Sequence, residues 1–147
     1  MLNDQFDRKA AIDTLSAAPA ATLEGLWKQL GIVPEYRLVR GPETGLVMIR
    51  GRAGGGGQPF NLGEATVTRA TVRLASGEVG HSYALGRDGE KAVRAALLDA
   101  LWQRDPQRIE AEVLAPLRSA ADAADATMRA ETAATRVNFF TMVRGDD

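Results

Sequence analysis

The order of apolar and polar positions divides the chain into helical and extended stretches. Leu23, Leu26, Trp27 and Leu30 recur at the i, i+3, i+4, i+7 spacing of one helix face, and Gly31 and Pro34 stop that helix. An earlier helix over 4–16 places Ile12 and Leu15 on a similar face. From Glu35 the period becomes two. "EYRLVRG" alternates Tyr36, Leu38 and Arg40 against Arg37 and Val39, "PETG" predicts a turn, and "LVMIRGR" predicts a second strand antiparallel to the first. "EATVTRATVRLA" suits a third strand, and after the turn at Ser76 and Gly77 a fourth places Val79, His81, Tyr83 and Leu85 on one face.

Asp88 then caps a helix whose positions Val93, Ala96, Leu97, Ala100 and Leu101 form the clearest apolar stripe of the chain. Asp105 and Pro106 start another helix, which carries Ile109, Val113 and Leu114 up to Pro116, where an interruption or restart is expected. The alanine-rich stretch 117–134 is helical by propensity but has little to bury. In "RVNFFTMVRGDD", Val137, Phe139, Thr141 and Val143 alternate with Asn138, Phe140 and Met142, which reads as a strand apolar on both sides. The pattern predicts an α+β fold: a small, mostly antiparallel sheet of about five strands packed with about four helices. We expect a single domain over 1–147, with N-terminal helices at 4–30, strands at 35–85, helices at 88–134 and a C-terminal strand at 136–144.

Composition narrows the function classes. A formal net charge of −1 gives no global attraction for nucleic acid or an anionic membrane, so anion recognition has to be local. The chain has no cysteine, which removes disulfides, thiolate metal sites and a thiol nucleophile. The start, "MLNDQFDRKAAID", has neither a basic n-region nor an apolar h-region, and no apolar run approaches the ~20 residues of a spanning helix. A soluble cytoplasmic protein is expected.

Four consecutive glycines, 54–57, invite a phosphate-binding reading. The lysine and hydroxyl of a P-loop are absent, because Gln58, Pro59 and Phe60 follow, and the spacing does not fit a dinucleotide fingerprint. A flexible connection flanked by Arg50 and Arg52 remains. The candidate anion ligands are Arg52, Arg87 at a strand-to-helix junction, and Arg136 and Arg144, which bracket the last apolar segment. His81 is the only histidine and reads as a satisfied core or interface residue. No catalytic residue, metal site or cofactor is predicted. Phe139, Phe140 and Met142 are the candidate interface residues, on a strand that a monomer would leave uncovered.

Three separated segments, "EYRLVRGPETGLVMIRGRAGGGGQPFNLGEATVTRATVRL", "GHSYALGRDGEKAVRAALLDAL" and "RVNFFTMVRG", together resemble the PhnG family, the G subunits of the bacterial carbon–phosphorus lyase core complex. The resemblance implies a supporting subunit that assembles with PhnH, PhnI and PhnJ, with the ATP-binding-cassette subunits PhnK and PhnL associating. It implies a role in forming alpha-D-ribose 1-methylphosphonate 5-triphosphate from ATP and methylphosphonate, with the nucleosidase chemistry on PhnI and the radical cleavage on PhnJ. No family catalytic residue carries over to a position of this chain. The competing reading is an independent nucleotide- or phosphonate-binding module using 54–57, Arg52 and Arg87.

Overall fold

A computed structural model describes the backbone of residues 2–143 and the side chains of 7–54 and 56–135. Two helices, α1 (Leu2–Ala17) and α2 (Ala20–Leu30), lead into strands β1 (Tyr36–Arg52), β2 (Pro59–Leu74) and β3 (Val79–Leu85). Helix α3 (Gly89–Arg104) follows, then the single turn α4 (Pro106–Ile109), a π-helical segment (Glu110–Leu114) and the long α5 (Ala115–Val143). Gly31 ends α2 in the left-handed conformation, φ 67°, which glycine adopts without a Cβ penalty.

Helix α3 is the centre of the molecule. Ala92, Ala95, Ala96, Leu97, Leu98, Ala100, Leu101 and Trp102 are all buried, so the helix is covered nearly all round. One side takes the sheet through Ala70, Val72 and Leu74; the others take Leu15 of α1, Leu23 and Leu30 of α2, and Ile109, Val113 and Leu114. Asp88 caps α3 by accepting from the Lys91 amide at 3.0 Å, and Asp105 caps α4 in the same way through Arg108.

The expected five strands are three, antiparallel in the order β1-β2-β3. The two strands predicted on either side of "PETG" are one strand of 17 residues. Its register against β2 slips between Leu38 and Arg40 and again between Arg40 and Glu43, so "GP" sits in bulges rather than in a reversal. A proline is tolerated there because β1 is an edge strand, whose outer amides have no partner to lose. The predicted C-terminal strand is also absent: the backbone stays helical through Val143. No glycine or proline lies between Leu117 and Val143, so an established helix propagates at little cost through residues whose apolar alternation alone suggested a strand.

Pro116 does not break the chain into two helices. The π-helical turn precedes it directly, and this wider hydrogen-bonding pattern accommodates a residue without an amide proton.

Candidate functional site

The sheet presents two unlike faces. Toward α3, β3 turns Gly80, Ser82 and Ala84, all buried, while the larger Val79, His81, Tyr83 and Leu85 face outward. The inversion has a steric cause: a Cβ on Gly80 would overlap the Ala96 carbonyl and approach Ala100, so strand and helix touch where only a glycine fits. Ser82 continues the contact by donating to the Ala92 carbonyl. His81 is therefore exposed, not a core residue; its Nδ1 lies 3.1 Å from Thr71 Oγ1. Among the described residues no carboxylate hydrogen-bonds the ring, so this hydroxyl–imidazole contact lacks the third group of a catalytic triad.

The outer face is rich in arginine. Arg37 stands directly opposite Arg73, Arg40 opposite Thr71, and Arg69 between Glu43 and Tyr83. Arg40 pairs with Glu43 at 2.7 Å; among the described residues Arg37, Arg69 and Arg73 pair with no carboxylate. A groove of about 730 Å³ crosses this face, bounded by Arg40, Arg69, His81, Tyr83 and Leu85 and, from α1, by Asp13 and Ser16. The Ser16 hydroxyl is buried there with no hydrogen-bond partner among the described residues.

Beyond the pair Val67–Leu85, β1 and β2 pair only with each other among the described residues. They continue as a two-stranded ribbon from Gly45–Val67 to Arg52–Pro59, roughly 25 Å at ~3.4 Å per residue. Its side chains are apolar and exposed, with Leu46 at 65%, Leu62 at 62% and Met48 at 56%. The glycine run closes the tip as an ordered turn. The amides of Gly56 and Gly57 donate to the carbonyls of Gly54 and Ala53, both at 2.8 Å, so they are not directed at an anion.

Of the predicted anion ligands, the two whose side chains are described, Arg52 and Arg87, lie apart. Arg52 ends β1 at the ribbon tip, whereas Arg87 lies past the end of β3 on the globular side, so the ribbon's length separates them. Both are exposed. Arg136 is on α5, with its side chain outside the described residues; the same holds for the side chains of Phe139, Phe140 and Met142, and Arg144 lies outside altogether. Among the described residues no group of three or more metal-ligating side chains gathers.

A junction that the apolar pattern conceals is Asp99, fully buried on α3. It accepts from Arg8 Nε at 3.1 Å, from Arg8 Nη2 at 3.0 Å and from the His81 amide at 2.9 Å, tying α1, α3 and β3 together. Hydrogen bonding to this carboxylate raises the Arg8 pKa. Nearby, burial lowers the Lys91 ammonium pKa, and its Nζ donates to the Ser16 carbonyl at 3.1 Å. The available signal was an acidic residue inside a helix otherwise buried on every side, where only a paired charge is tolerated.

Two comparisons with known proteins bear on these surfaces. The family model described as phosphonate metabolism protein PhnG matches residues 6–145. Over 141 residues the chain is 52% identical to the alpha-D-ribose 1-methylphosphonate 5-triphosphate synthase subunit PhnG of Rhizobium meliloti (strain 1021), covering 95% of this chain and 90% of that one.

Proposed function

Because the chain belongs to the PhnG family of phosphonate metabolism proteins, we propose that it is a supporting, non-catalytic subunit of a synthase forming alpha-D-ribose 1-methylphosphonate 5-triphosphate from ATP and methylphosphonate. Its companions in this reading are PhnH, PhnI and PhnJ, with PhnK and PhnL associating, in the cytoplasm. Among the described residues no helix is long and apolar enough to cross a membrane. The isolated chain is expected to be inactive.

The observation that carries this reading is the ribbon. A lone two-stranded hairpin is marginal in water, and this one exposes leucine, methionine, isoleucine and phenylalanine that nothing among the described residues covers. A subunit that inserts such an arm into a companion removes that apolar surface from water.

Co-expression with the companion subunits, followed by size-exclusion chromatography and mass measurement, tests it. The wild-type chain is expected to co-elute with its companions. Leu46→Asp combined with Leu62→Asp is expected to cut incorporation by about tenfold or more while leaving the circular dichroism spectrum intact, since buried apolar contacts dominate such interfaces. A wild-type chain that elutes alone contradicts the subunit reading. A double variant incorporated in full moves the interface away from the ribbon.

A further inference from the structure

We infer that the outer face of the sheet receives an acidic segment of a companion subunit, laid across the arginines of β1 and β2. This rests on the reading of the chain as a subunit and concerns a surface separate from the ribbon.

Arg37 and Arg73 are direct cross-strand neighbours on one face, an arrangement that destabilises a sheet by like-charge repulsion. Neither has a carboxylate partner among the described residues, and Arg69, further along the same face of β2, has none either. The described carboxylates near this face are Glu43, held by Arg40, Asp13 at the groove wall, paired with Lys9, and Glu35, which lines a pocket with Arg37 and Arg73 but forms an ion pair with neither. Among the described residues the fold gives these guanidiniums no ion pair.

The surroundings indicate what would use them. Tyr83 and Leu85, exposed at 58% and 73%, lie on the same face beside Arg69, so cationic and apolar positions are interspersed. The charges are spread along the strands rather than converging on one point: Arg73 and Arg69 are four residues apart, on the order of 13 Å. This spacing suits side chains distributed along an extended acidic segment, with apolar residues between the carboxylates, better than a single phosphate. Charge complementarity of this kind sets register and partner choice.

The test is the assembled complex with Arg37→Glu. This substitution turns a repulsive cross-strand pair into an attractive one, so the melting temperature of the chain should hold or rise by ~1–3 °C. Affinity for the companions should nevertheless fall by about tenfold or more, and its dependence on salt should flatten. Arg37→Lys should retain most of the affinity, because the charge is kept. Unchanged affinity and salt dependence for Arg37→Glu, with the wild type assembling normally, overturns the docking proposal and leaves the subunit reading in place. Unchanged assembly with a raised KM for ATP overturns it in favour of a small-anion site. Weakened self-association, with companion binding intact, overturns it in favour of a second copy of this chain. A wild-type chain that binds no companion removes the subunit reading and this proposal with it.

Discussion

Asp99 shows how a single side chain can organise three elements. Its carboxylate has no solvent exposure, and the charge is tolerated because Arg8 grips both oxygens while the His81 amide occupies one of them as well. Removing one partner of such a pair strands the other. Arg8→Ala should therefore destabilise the chain by about 2–3 kcal/mol, below the ~3–5 kcal/mol of a fully buried pair because the arginine is itself 34% exposed. In a chain of this size that is a loss of roughly 4–10 °C in melting temperature, measurable by calorimetry. A loss under ~2 °C would mean that water replaces the guanidinium without penalty. Gly80 is the apolar counterpart. Its missing Cβ lets β3 approach α3, and it decides that small residues face inward and large ones outward on that strand. Hydrophobicity alone ranks those two faces the other way round; the strand residues were grouped correctly, and of the two settings expected for His81, core or interface, the exposed position removes the core.

Elements governed by local signals were legible in the sequence. The stripe on α3, the caps Asp88 and Asp105 and the Gly31 stop depend on residues close in sequence, and each acts as its chemistry suggests. Elements settled by tertiary context were not. "PETG" carries turn residues, yet hydrogen bonding to β2 on either side holds β1 as one strand and confines the irregularity to bulges. The apolar alternation of "RVNFFTMVRG" is compatible with a strand, but the helix entering it meets no breaker. At the ribbon tip, Gly57 lies against the Ala53 carbonyl with no room for a Cβ. Gly57→Ala should open this turn and raise amide exchange over residues 50–62 by about tenfold or more, while the melting temperature moves by less than ~2 °C, because the tip lies away from the core. A large drop in melting temperature would show that the ribbon and the core unfold as one unit.

Taken whole, the described molecule is a helix-centred core from which a ribbon projects and along which β1 leaves a 17-residue edge unpaired. In the described chain the bulges and Pro42 blunt that edge near its start, but over the ribbon it stays open, and an open edge with apolar side chains is a template for further strand pairing. The consequence reaches beyond recognition to supply. A chain made in excess of its companions carries its own mark of surplus, an apolar ribbon open to chaperones, proteases and other copies of itself. The amount of subunit would then be set by the amount of complex rather than by synthesis alone. We expect its half-life in cells to lengthen several-fold when the companions are co-expressed, measured by pulse-chase, and the Leu46→Asp, Leu62→Asp chain to gain none of that protection; equal half-lives with and without companions would show that the exposed ribbon carries no such mark.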